Sequence, residues 1–150
     1  MRLTTIGLRA VLPFVAAACG SDHNLTAPLD PSAVTTISTT AACGATILED
    51  LRLEEDLTCS GDGLFVGADG ITINLNGHVI TGAGTAVGIG ITVRGRQNVT
   101  IYGGTIQGFI TGIMVATSTG VVIKDNGFTQ TREAVFLAGS SGNVIKNIAA

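Results

Sequence analysis

Gly90-Ile91-Thr92-Val93, Gly112-Ile113-Met114-Val115 and Ala134-Val135-Phe136-Leu137 are one phrase written three times, each start 22 residues after the last. A second phrase keeps the same step: Val99-Thr100-Ile101, Val121-Val122-Ile123 and Asn143-Val144-Ile145. Short β-branched runs divided by Gly, Ser and Asn turns at a fixed period are the signature of a solenoid. One such unit has a dry face that only a neighbouring unit can cover. The expected fold is all-β, a parallel β-helix. Ile91 and Val93, Ile113 and Val115, and Val135 and Leu137 would point inward as stacked columns, with Val99, Ile101, Val121 and Ile123 forming a second pair. Gly95, Thr117 and Gly139 share the intervening turn, where the backbone bends sharply. Asn143 interrupts the column of Val99 and Val121, either as an amide that satisfies a turn or as a change of register.

Composition agrees. The chain has 150 residues, 4% aromatics and 21 glycines, which suits stacked aliphatic columns better than a core built on large rings. A formal charge of −3 gives no reason to expect nucleic acid as a partner. The distribution of charge is more informative. Seven of the eleven acids lie between Glu49 and Asp69 with only Arg52 to offset them. Beyond residue 70 there are five bases (Arg94, Arg96, Lys124, Arg132, Lys146) and two acids, Asp125 and Glu133.

The amino terminus is an export address. Arg2 and Arg9 precede an apolar run from Ala10 to Ala18 that is too short to span a bilayer. The run ends Ala16-Ala17-Ala18-Cys19-Gly20, which resembles a bacterial lipoprotein box with Ala16 where Leu is usual. That resemblance implies lipidation of Cys19. Ordinary cleavage after Ala-x-Ala is the rival and leaves Cys19 unmodified. Residues 1–18 are thus expected to be a signal peptide. Residues 19–42, rich in Ser, Thr, Ala and Pro, form a tether. His23 and Asp22 lie in that tether, which does not fix a metal geometry.

Three cysteines cannot all pair. Cys43 and Cys59 lie 16 residues apart on either side of the first β-rich turn. In an oxidising compartment they are expected to form a disulfide, leaving Cys19 for lipid. Three free thiols would suit a cytosolic protein and conflict with the leader.

Residues 43–60 read as the amino-terminal coil and cap. Leu51, Leu53 and Leu57 alternate with charges; a helix over 49–56 is the rival. The acid cluster is expected to protect an open sheet end by charge. Neither Asp62-Gly63 nor Asp69-Gly70 alone supplies the alternate spacing of a calcium loop. The next coil is longer, 28 residues from Ile73 to Ile101. Its run Asp69-Gly70-Ile71-Thr72-Ile73-Asn74-Leu75-Asn76-Gly77-His78-Val79-Ile80-Thr81-Gly82 resembles the start of the pectin-lyase-like right-handed parallel β-helix proteins of bacterial envelopes. The resemblance covers residues 43–150 and implies the fold; because that family mixes lyases, epimerases, hydrolases and adhesins, it leaves function open.

The outward columns supply the functional expectations. Tyr102, Lys124 and Lys146 share one position 22 residues apart and would bind an anionic polysaccharide by stacking and point charge, or simply keep a sheet soluble. Met114 and Phe136, read beside Val122 and Val144, form an apolar set that suggests self-association or local cover by loops. Asp125 and Glu133, eight residues apart, are expected on different faces rather than as a catalytic pair. His78 has no evident partner as a base, and Arg94 and Arg96 read as a solvated turn edge. No catalytic, metal or cofactor constellation stands out. The expectation is an exported, lipid-anchored β-helix that binds or processes polysaccharide at the cell envelope, with an adhesin or self-associating module as the alternative. The lack of a closing cap after Lys146-Asn147-Ile148-Ala149-Ala150 suggests the front portion of a longer helix.

Overall fold

The structure, a computed structural model, describes residues 37–38 and 40–150. The expected signal peptide, Cys19, His23 and most of the expected tether lie outside the described residues. Fourteen strands follow in order: β1 (Ile37–Ser38), β2 (Thr46–Ile47), β3 (Asp50–Arg52), β4 (Leu57–Thr58), β5 (Leu64–Val66), β6 (Thr72–Asn74), β7 (Val79–Thr81), β8 (Ile89–Arg94), β9 (Thr100–Tyr102), β10 (Thr105–Gln107), β11 (Thr111–Ala116), β12 (Val122–Thr129), β13 (Glu133–Ala138) and β14 (Val144–Ala149). Every strand pairing is parallel. Parallel strands close in sequence, with no helices between them, can pair only if the chain winds as a coil. The fold is a parallel β-solenoid.

Its walls are a five-stranded sheet, β2-β5-β8-β11-β13, and a nine-stranded one. The larger sheet has two stacks, β1-β3-β6-β9 and β4-β7-β10, joined where the eight-residue β12 runs through both. Strands, not a helix, occupy 49–56. β1 pairs with β3 through Ile37↔Asp50 and Ser38↔Leu51, so a short strand falls within the stretch expected as tether.

Side chains stack in columns as the repeat dictates. Leu64, Ile91, Ile113 and Val135 share one register position, and Ile47, Val66, Val93, Val115 and Leu137 another. Leu51, Ile73, Ile101, Ile123 and Ile145 line the larger sheet. Ile91, Val93, Ile101, Ile113 and Val115 are completely buried. Val135 is only half-buried and Leu137 is exposed, because no described coil stacks upon β13. A column of Leu57, Ile80, Ile106 and Phe128 fills the remaining wall. Phe109 and Phe128 are the largest fully buried side chains.

The coil bends at four recurring positions, each held in the left-handed region. Gly95, Thr117 and Gly139 form one such column, as the repeat predicts. Asn98, Gly120 and Gly142 form the second, Gly103, Asp125 and Asn147 the third, and Gly108 and Gln130 the fourth. Asn143 keeps the register: its Oδ1 accepts the Val121 N–H at 2.9 Å, and Val144 still pairs with Val122. The amide satisfies a turn. Cys43 and Cys59 form the expected disulfide, with Cα atoms 5.5 Å apart. Closing that loop contributes about 3 kcal/mol by the chain-entropy estimate.

Gly63, Gly90, Gly112 and Ala134 share one column beside the core. A Cβ on Gly112 would lie 2.5 Å from the Phe128 ring and 2.6 Å from the Ala134 carbonyl oxygen. Gly112→Ala is therefore expected to destabilise by about 1–3 kcal/mol through overpacking, read as a lower urea midpoint. Ala134→Gly, in the less crowded coil, should cost under about 1 kcal/mol, the ordinary propensity difference. Equal midpoints for the two variants would refute the packing argument.

Candidate functional site

The acid cluster is built into the coil-to-coil ladder. Asp50 Oδ1 accepts the Thr72 N–H at 2.8 Å, and Asp56 Oδ1 accepts that of Val79 at 2.9 Å. Asp62 accepts from Ile89 at 2.9 Å and Asp69 from Gln97 at 3.0 Å. Asp50, Asp56 and Asp62 accept where β6, β7 and β8 of the next coil begin, and Asp69 accepts at Gln97 ahead of β9. Asp56 Oδ1 also lies 3.0 Å from His78 Nδ1, so the partner that the sequence did not reveal for His78 sits one coil earlier. The Val79 N–H, followed by His78, lowers the Asp56 pKa below the ordinary aspartate value. Asp125 and Glu133 are not opposed: Asp125 accepts a hydrogen bond from Asn147 Nδ2 at 2.9 Å, whereas Glu133 accepts one from the Thr111 hydroxyl at 3.3 Å.

The outer face of the larger sheet carries a column of Arg52, Asn74, Tyr102, Lys124 and Lys146 in continuous register. Neighbours in it are about 4.8 Å apart. Arg52 is occupied by Glu54 and Asn76 at 3.3 and 2.9 Å. Lys124 Nζ lies 5.2 Å from the Tyr102 ring centroid, a cation–π distance. Among the described residues neither lysine forms a salt bridge. Tyr102, Lys124 and Lys146 thus lie in one outward column, with Lys124 against the Tyr102 ring and Lys146 one strand further on.

Met114 and Phe136 are adjacent, but on the five-stranded sheet; Val122 and Val144 pair on the larger one. The two apolar pairs therefore belong to different walls. Their sequence spacing gave the column but not which side of the bend each occupied. The Met114 column continues to Thr92, Phe65 and Thr46. Here the outer face holds a groove of about 470 Å³, lined by Phe65, Thr92, Met114, Arg94, Arg96 and Asp62 among others. Sequence reading missed it. Phe65 precedes Thr92 by 27 residues rather than 22, so the long coil hid the alignment, and Arg94 and Arg96 read as a turn edge. The available signal was the small Thr92 between two large residues of its column.

The fold defines the chain as a parallel β-solenoid. A sequence model of the family described as "Periplasmic copper-binding protein (NosD)" matches residues 55–149, and the chain belongs to that family. No curated protein and no solved structure matches the chain. The described residues do not fit the copper of the family's description. They contain no group of three or more His, Cys, Asp or Glu placed to hold a metal ion. Their two cysteines are joined to each other, and His78 Nδ1 is taken by Asp56. Copper sites need converging imidazole, thiolate or thioether donors.

The Asp56 contacts generate a pH dependence. Because its folded pKa is depressed, the stabilisation is present above the pKa of an unfolded aspartate and is lost as pH falls through the lower folded value. Asp56→Asn should lower stability at neutral pH, with the gap to the natural chain closing in acid. Thermal melts across the acid range, with a carboxyl NMR titration of Asp56, check this; a midpoint at or above that of a free aspartate would overturn it.

Proposed function

We propose that this chain is an exported β-solenoid of the bacterial cell envelope that binds anionic polysaccharide on the face carrying Tyr102, Lys124 and Lys146. The observation that carries the reading is the in-register column of one aromatic ring and two lysines, the lysines free of salt bridges among the described residues. Negative groups recurring along an extended chain can meet charges recurring along a sheet, while the flat ring offers a surface for a sugar face. The periplasmic description of the family supports export, as do the leader and the disulfide. Lipidation of Cys19 would fix the protein to a membrane and present this face to envelope glycans. Binding without turnover is the form of the reading that the side chains favour, since all four aspartates of the first coils are engaged with backbone N–H groups.

A second reading, self-association through Met114 and Phe136, draws on the exposure of Phe136. It predicts a dimer that Phe136→Ser dissolves.

Oligogalacturonate is the probe for the glycan reading. Lys124→Ala and Lys146→Ala should each weaken its binding about two- to fivefold, the range for exposed ion pairs worth under about 1 kcal/mol. Added salt should weaken it further. Calorimetric titration reads both effects, and unchanged affinity in the double variant would remove this face from the proposal.

A further inference from the structure

The groove on the five-stranded sheet is lined by two residues that each carry a buried polar atom the fold leaves unused. Thr92 is 7% exposed, and its Oγ1 is buried with no hydrogen-bond partner. Arg96 Nε is likewise buried and without a partner, although both residues line the same groove. Burying an unpaired hydroxyl or guanidinium N–H is costly, and native structures seldom leave such groups so. The fold does not need them: the Arg96 backbone N–H is satisfied by Ser118 Oγ at 3.1 Å, and Thr92 stands in regular ladder register with Phe65 and Met114. Among the described residues, neither the Arg94 nor the Arg96 guanidinium forms a salt bridge. The one acid of the lining, Asp62, has an oxygen committed to the Ile89 N–H.

We infer that this groove is a binding site for a small organic carboxylate with an apolar body. The Arg96 Nε–H and the Thr92 hydroxyl donate to the carboxylate, and Arg94 supplies a second positive charge at the mouth. A guanidinium matches a carboxylate in shape as well as charge. Phe65 and Met114 stand on either side of Thr92 and hold the apolar body, the aromatic ring and the thioether both suiting a flat or acyl group. The volume falls within the range of about 300–1,000 Å³ typical of small-molecule sites. This inference is independent of the glycan reading, because Tyr102, Lys124 and Lys146 belong to the other sheet.

The test is calorimetric titration of the full chain with benzoate, its neutral isostere benzamide, galacturonate and inorganic phosphate. Benzoate should bind, with benzamide and phosphate each weaker by about tenfold, since one lacks the charge and the other the apolar body. Arg96→Met, which keeps an apolar stem, should weaken benzoate by about tenfold, and Thr92→Val by about threefold. Arg132→Met removes one positive charge outside the groove lining and should leave the affinity within about twofold. Melting curves and an intact Cys43–Cys59 bond confirm folding of each variant. No benzoate binding to the natural chain would overturn the inference, leaving Thr92 and Arg96 to bound water only. So would benzoate binding unchanged in both Arg96→Met and Thr92→Val. Galacturonate binding more tightly than benzoate would overturn the apolar half of the assignment.

Discussion

Exact stacking of one coil upon the next governs this molecule. A parallel strand pair repeats only if both chains turn at the same place, so every bend must recur in register. Four columns of left-handed residues meet that demand. Glycine fills many of their positions, while Asn, Asp, Gln and Thr fill the rest. Thr117 is the costly case, since a β-branched residue resists that conformation. It is held between Gly95 and Gly139, with its N–H bonded to the Ala138 carbonyl at 2.8 Å. The neighbouring coils impose the bend, and local preference yields to them.

The first coils meet the same demand with less regular spacing. Leu51 to Ile73 spans 22 residues, but Ile73 to Ile101 spans 28, so their junctions need support beyond a uniform ladder. Four aspartates provide it by accepting backbone N–H groups of the following coil. In the later coils Ser118 and Ser140 accept at the bend, from Arg96 and Ser118 respectively. The shift from carboxylates to hydroxyls accounts for four of the seven acids in the first coils as junction acceptors. The disulfide adds a covalent closure to the first turn.

The 22-residue step made the later coils legible because period and packing coincide: Ile91, Ile113 and Val135 are spaced as they are paired. The Tyr102–Lys124–Lys146 column was legible for the same reason. Phe65 escaped because the long coil put it out of step with Thr92. The Asp56–His78 contact spans the same 22-residue step, but neither residue belongs to the apolar phrases that carry the repeat. Phe109 also fell outside the repeat. It is fully buried, whereas the residue one period later is Thr131, and its ring lies against Gly82, Gly88 and Gly90 of the preceding coil instead of in a repeating column.

A regular solenoid gives function little room, since its outward columns repeat one environment. Sites arise where a column is interrupted. On the larger sheet the interruption is of charge: Arg52 is neutralised, Asn74 is neutral, and Lys124 and Lys146 follow beside Tyr102. On the smaller sheet it is of size, as Thr92 falls between Phe65 and Met114 and leaves a notch that the arginines overlook. The two interruptions differ in chemistry. Spaced ammonium groups on a flat wall suit an extended polyanion, whereas a recess with buried donors suits a compact ligand that sheds its water. Neither brings together the donors that copper requires.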